Sequence, residues 1–354
     1  MEAILLSVKW ASMEFLGAIV LTLIALAVIL AGCELFTNGI EWVGCKLNLS
    51  TGAVGSVLAA VGTALPETLV PIVALLVVRG EASEEIGIGA ILGAPFMLST
   101  LAFLMTGAAA IVYHRRGRRG LDLVVHTDTL GQDLAYFIAV YVLAIGASFL
   151  PGRPYKLAVG AVLIAAYCYY VYSHFRREEE NGAEDLHPLY LQRNCDVPRL
   201  RYVLVQVVTA LAAIFLGAHI FVSNLEKIST VLASGLLHWD AKTIALVLSL
   251  TITPVATELP EKFNSIIWVG RGKDTLALGN ITGAMVFQSC VPVAIGILLT
   301  PWELETRAVA SAVIALLSGV TVFVVMRAQH RLSPYLLLIG APLYAAWLVY
   351  ALRH

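Results

Sequence analysis

Apolar stretches of bilayer-spanning length follow one another almost without pause along this chain. A spanning helix needs about 20 predominantly apolar residues. By that measure ten are expected, at roughly 15–36, 50–78, 86–112, 133–150, 156–175, 201–223, 241–269, 275–299, 305–326 and 333–352. Two polar connections are long. "HRRGRRGLDLVVHTDTLGQD" covers 114–133, and "RREEENGAEDLHPLYLQRNCDVPRL" covers 176–200 and reads as a linker. The first apolar stretch follows Glu14 without a small-residue cleavage site, so it is expected to be a span and not a cleaved leader.

The pattern repeats itself. "TALPETLVPIVA" (Thr63–Ala74) and "TELPEKFNSIIW" (Thr257–Trp268) both bury Leu-Pro-Glu in apolar sequence, with Glu67 and Glu261 lying 194 residues apart. Upstream, "GCELFTNGIE" (Gly32–Glu41) matches "GAHIFVSNLE" (Gly217–Glu226). Downstream, "GAILGAPF" (Gly89–Phe96) matches "GNITGAMVF" (Gly279–Phe287). The expected fold is therefore all-α, with ten transmembrane helices in two five-helix repeats. An odd number of spans per repeat inverts the second copy, and inverted repeats are a transporter architecture with the ion site near the membrane midplane. The first half covers 1–175, with its core motif at about 50–112. The linker is 176–200, and the second half covers 201–354 with its core motif at about 241–299.

Composition agrees with a lipid solvent. The 354 residues are 59% hydrophobic and 13% charged, against about 25% charged in ordinary soluble domains. An integral membrane protein, in a prokaryotic cell membrane, is the expected setting. A net charge of −1 gives no reason to expect nucleic acid. The five cysteines are scattered without a CxxC, so no disulfide framework or zinc site is expected. Sorting the basic residues by alternate loops places 14 on one side and 8 on the other, with Lys262 inside a span. The positive-inside rule then puts both termini outside and both long loops in the cytoplasm. The arginine run His114–Arg119 most simply marks that topology.

Glutamate inside a span costs about 2.5–3.5 kcal/mol on insertion scales, so Glu67 and Glu261 need a polar cavity, an ion or a proton. Pro66 and Pro260 precede them, and proline interrupts helical hydrogen bonding. Freed carbonyls beside buried carboxylates supply two kinds of oxygen, which suits a hard cation such as calcium, bound by six to eight oxygens. Thr63 and Thr257 can add theirs. Gly89 with Gly93, and Gly279 with Gly283, form GxxxG steps suited to close helix packing. Glu34 and His219 occupy matched positions and are candidate groups along an ion path. Glu41 and Glu226 lie nearer the membrane edge and are expected to be solvated.

At "GTALPE" with "GAILGA", and "ATELPE" with "GNITGA", the chain resembles the cation/calcium antiporter superfamily, the sodium/calcium exchangers and their relatives. The resemblance implies alternating access, with no cofactor beyond the transported ions. It implies Glu67 and Glu261 as principal calcium ligands, with Thr63, Thr257 and Asn280 alongside. Some counter-ion groups of the family pattern are replaced. Its serine is Ala64 in the first copy and Glu258 in the second, and its Asn/Asp is Ala90 in the first and Asn280 in the second. Glu258 and Lys262, four residues apart on one helix face, are thus candidate counter-ion or proton groups. The expected function is exchange of Ca²⁺ for Na⁺ or H⁺, the alternative being a proton-coupled exporter of Ca²⁺ or another divalent cation. An intramembrane enzyme is disfavoured, because no span carries an Asp near its centre and only Lys262 places a basic group within one. The oligomeric state is not legible from the sequence.

Overall fold

The computed structural model describes residues 2–47, 64–175, 187–193, 195, 197–235 and 239–353, with the side chains of 2–12, 174–175, 234–235 and 259–261 outside the description. It is helical, with a single isolated β-bridge between Leu123 and Leu332 among the described residues. The helices are α1 (Glu2–Lys46), α2 (Leu65–Val73, continued by a π turn at Ala74–Val78) and α3 (Ser83–Arg115, with a π turn at Leu98–Ala102). After them come α4 (Thr127–Gly146), α5 (Arg153–Phe175) and α6 (Leu200–Gly235). The last four are α7 (Ala241–Gly270), α8 (Asp274–Leu299), α9 (Thr306–Gln329) and α10 (Gly340–Arg353).

Among the described residues nine helices are long and apolar enough to cross a membrane, and Leu65–Val78 is a shorter apolar helix. Large apolar side chains stand exposed on them, including Leu16, Leu23, Ile24, Val208 and Leu216. That outward surface suits lipid. The expected span 50–78 is described only from residue 64. α1 and α6 run well past the expected 15–36 and 201–223. The expected span at 333–352 is matched by the apolar stretch Pro334–Arg353, which is long enough to cross a membrane and consists of a short helix at Pro334–Leu337 followed by α10. Gly340 packs against α3, where a Cβ would lie 2.1 Å from the Thr100 carbonyl oxygen.

The helices gather into two compact units, Met1–Ser83 with Cys168–Ala245, and Glu84–Tyr167 with Leu246–His354. Each draws on both halves of the sequence. In the first unit α1 packs antiparallel on α6. A Cβ added at Gly32 would meet Ile214 Cγ1 at 2.7 Å and the Ala210 oxygen at 3.3 Å. One added at Gly217 would meet Ile29 Cγ1 at 2.8 Å and the Ala25 oxygen at 3.1 Å. Adding 185 to Gly32, Ala25 and Ile29 gives Gly217, Ala210 and Ile214, so the contact is self-complementary about a local two-fold. Lipid offers apolar groups no reason to leave it, so association rests on this close packing of small residues. Gly32→Leu and Gly217→Leu are each expected to lose ~1–3 kcal/mol through overpacking, read as a lower unfolding midpoint in detergent.

Part of the linker is folded onto this pair. Leu189 is fully buried with Trp42 and Val203. Asn38 Nδ2 donates to the His187 and Pro188 carbonyls at 3.3 and 3.4 Å, and Trp42 Nε1 donates to His187 O at 2.9 Å. Gln206 accepts from the Leu191 N–H at 3.0 Å and donates to Asn38 Oδ1 at 2.9 Å. The Tyr190 hydroxyl donates to Glu34 Oε1 at 2.6 Å. That bond, then burial, raises the Tyr190 phenol above its ordinary value of 10.0. A raised value means the bond is intact below the ordinary range and is lost only as pH climbs through the higher one. Glu34→Gln is expected to bring the phenol back toward its ordinary titration, followed by ultraviolet absorbance.

In the second unit α8 and α9 pack on α4. Gly89 and Gly93 seat α3 on α7: Cβ atoms there would lie 2.7 Å from Ser249 Cβ and 2.6 Å from the Leu250 oxygen. Both glycines therefore pack as the GxxxG step suggests. Gly279 does not, because no described atom lies within 4 Å of a Cβ placed there.

Candidate functional site

Glu67 lies in the first unit. α2 opens at Leu65 with Ala64 at its N-cap, Pro66 in the first turn and Glu67 beside it. A proline in the first turn sacrifices no helical hydrogen bond, since that N–H has no intrahelical acceptor. The sequence suggested a break at Pro66, and the structure makes it a helix start. Glu67 is 4% exposed. Its carboxylate lies in the first turn, where the helix dipole and free N–H groups favour negative charge. Pro71 is accommodated within the same helix. Thr68 Oγ1 turns back to the Ala64 carbonyl at 2.8 Å. Thr63 lies outside the described residues.

The other matched groups of this unit have separate tasks. Glu34 is exposed and accepts from Tyr190. His219 is half-buried, and its Nδ1 has no hydrogen-bond partner among the described residues. Glu226, expected to be solvated, is half-buried and accepts the Ala82 N–H at 3.3 Å. Gly80 allows this approach, because any Cβ would strike that carboxylate at 2.0 Å. The turn after α2 is thereby tied to α6.

α7 from Leu246 onward and α8 lie in the second unit. α7 continues as helix through Pro254 and Pro260, so the second Leu-Pro-Glu lies within a helix where the first begins one. Membrane helices tolerate such prolines because neighbouring groups take up the freed carbonyl. The side chains of Pro260 and Glu261 lie outside the description. Thr257 is buried, and its hydroxyl donates to the Thr253 carbonyl at 3.0 Å, leaving oxygen lone pairs for another partner. Ser249 donates to the Ile86 carbonyl at 2.6 Å and lies 3.4 Å from Thr253 Oγ1. Ser249, Thr253 and Thr257 recur every four residues, and Glu261 is the next position in that series. The four-residue spacing of these hydroxyls is a signal that the sequence itself carries.

Glu258 and Lys262 are buried, at 2% and 3% exposure. Lys262 Nζ donates to Asn280 Oδ1 on α8 at 2.9 Å, joining two of the candidate groups. Asn280 is otherwise exposed and follows the uncrowded Gly279. Further along α8, Thr282 donates to the buried carboxylate of Asp133 at 2.7 Å. Asp133 lies at the polar edge of its span, a place where a carboxylate is ordinarily solvated, so nothing in the local sequence marks it as buried. Asp274, at the head of α8, takes both guanidinium nitrogens of Arg119 at 2.6 Å. One member of the arginine run is therefore buried and structural.

A family model described as sodium/calcium exchanger protein matches residues 17–176 and 202–353. The putative antiporter CaxA of Alkalimonas amylolytica is 23% identical over 296 residues, 83% of this chain and 84% of its own length. Inner membrane protein YrbG of Escherichia coli (strain K12) is 25% identical over 260 residues, 72% of this chain and 71% of its own. Among solved structures, the H⁺/Ca²⁺ exchanger CAX matches with a TM-score of 0.71 at 16% identity, over 95% of this chain and 82% of that one. The sodium-calcium exchanger NCX_Mj matches with a TM-score of 0.54 at 20% identity, over 95% of this chain and 98% of that one. At these identities the structural likeness concerns the fold.

Proposed function

Because the chain belongs to the sodium/calcium exchanger protein family, we propose that it is a secondary antiporter that moves Ca²⁺ across a membrane in exchange for Na⁺ or H⁺. The observation that carries this reading is the buried Glu67 in the first turn of α2, repeated in sequence at Glu261. Carboxylates, hydroxyls and carbonyls are the ligand set of a hard cation. In this reading Glu67 and Glu261 bind the ion, Thr63 and Thr257 add oxygens, and the two five-helix repeats are inverted with both termini outside. The self-complementary contact of α1 with α6 supports that inversion, since a two-fold in the membrane plane makes matched helices antiparallel.

The alternative, a proton-coupled exporter of Ca²⁺ or another divalent cation, is favoured by one feature. Glu258 is a buried carboxylate where the family pattern has serine. Radioactive calcium uptake into proteoliposomes separates the two. An outward sodium gradient is expected to drive uptake that an outward proton gradient does not. Uptake driven only by protons establishes the alternative, and no calcium movement under either gradient removes the calcium reading.

A further inference from the structure

Resting on the exchanger reading, we propose that Lys262 is a tethered cation that takes the place of one exchanged monovalent ion, making this chain an electroneutral exchanger of two monovalent cations per Ca²⁺.

The inference comes from comparing the repeats position by position. Where the second copy carries Glu258, Lys262 and Asn280, the first carries Ala64, Thr68 and Ala90. A carboxylate and an ammonium stand at two matched sites where the first copy has alanine and threonine, and at the third Asn280 keeps an amide that the first copy lacks. The two copies also use the middle position differently. Thr68 donates to the Ala64 carbonyl of its own helix at 2.8 Å. Lys262 reaches from α7 to Asn280 Oδ1 on α8 at 2.9 Å and is 3% exposed. A buried ammonium is costly to desolvate, and an amide oxygen supplies no compensating charge. The compensation has to come from carboxylates, and Glu258 is one helical turn away on the same face.

Charge counting then restores a symmetry that the sequence change had broken. The first copy contributes one negative charge, from Glu67. Glu258, Glu261 and Lys262 in the second copy also sum to one negative charge. Together the repeats carry two, the charge that one calcium ion neutralises. Without Lys262 they carry three, and the return step takes a third monovalent cation. The ammonium cannot leave with the cargo, so it is carried through every cycle as a constant. Asn280 holds it in position across the α7–α8 hairpin.

The test is calcium flux in proteoliposomes with the membrane potential set by a potassium ionophore, on the full-length protein. Wild type is expected to reach a calcium ratio that does not respond to the imposed potential. K262M is expected to gain one net charge per cycle, shifting that ratio about tenfold per ~59 mV. K262R is expected to remain electroneutral, and E258Q/K262M to become electroneutral again because both charges are gone. A purely structural Lys262 predicts instead that the double variant is as impaired as K262M and that potential dependence never changes. Calcium flux in wild type that itself carries net charge overturns this proposal and leaves the exchanger reading standing. So does an active K262M that ignores the potential. If K262M does not transport, the wild-type charge measurement alone still decides. Wild type moving no calcium under any gradient overturns both readings.

Discussion

Glu67→Gln is expected to reduce calcium exchange by about 100- to 1,000-fold, and Glu261→Gln by as much. Glutamine keeps the volume of glutamate but replaces a charged, bidentate ligand by one neutral oxygen. Removing one partner of a buried charge interaction costs ~3–5 kcal/mol, and each ~1.4 kcal/mol is tenfold in an equilibrium constant. Glu67 is buried in the first turn of α2, where the helix terminus is arranged for negative charge, so solvent gives little compensation. Radioactive calcium uptake by each variant, with elution volume in detergent as the check on folding, measures the loss. Near-wild-type uptake in a well-folded Glu67→Gln protein removes that residue from the ion site.

Arg119→Ala is expected to destabilise the protein by ~3–5 kcal/mol, far more than loss of an exposed ion pair, which costs ~0–1 kcal/mol. Arg119 Nε donates to Gly120 O at 3.0 Å, and its terminal nitrogens reach Val269 O at 2.8 Å, Asp122 O at 3.0 Å and both Asp274 oxygens at 2.6 Å. The Asp274 side chain is wholly buried and the Arg119 side chain nearly so. Removing the guanidinium takes away both charge-assisted hydrogen bonds to Asp274 and leaves the one from the Val124 N–H at 2.8 Å. Asp274→Ala is expected to be comparably damaging. An apolar double variant, Arg119→Met with Asp274→Leu, is expected to recover much of the loss, because a buried pair replaced as a unit is often near neutral. Thermal unfolding in detergent of wild type, Arg119→Met, Asp274→Leu and the double variant gives the coupling directly. Additive losses argue against a linked pair.

The clasp shows where linear reasoning stopped. "HRRGRR" reads as a topology marker because five of its six residues are basic, and nothing local singles out Arg119. Its partner is 155 positions away. Gly89 and Gly93 were legible as packing positions because close helix approach needs small residues at regular spacing, whereas Gly32 and Gly217 stood out only as matched positions of the repeat. Gly279 has the same local pattern and stands free among the described residues, since spacing says which face is narrow but not whether a helix lies against it. Pro66 and Pro260 sit in nearly identical words, yet one starts a helix and the other lies within one. The surrounding packing chooses between those outcomes.

By itself the sequence determined the solvent of this protein, its helical class, the duplicated Leu-Pro-Glu segments and the family. These depend on hydrophobicity, helical length and short motifs, which are properties of neighbouring residues. The tertiary structure alone decided that Lys262 reaches Asn280, that Asp133 holds Thr282, that Glu226 caps the turn after α2, and that the linker anchors through Leu189 and Tyr190. Each is a polar or close-packed contact between distant segments. Burial in a membrane protein makes such contacts obligatory, and the direction each side chain takes is set by which helix lies beside it.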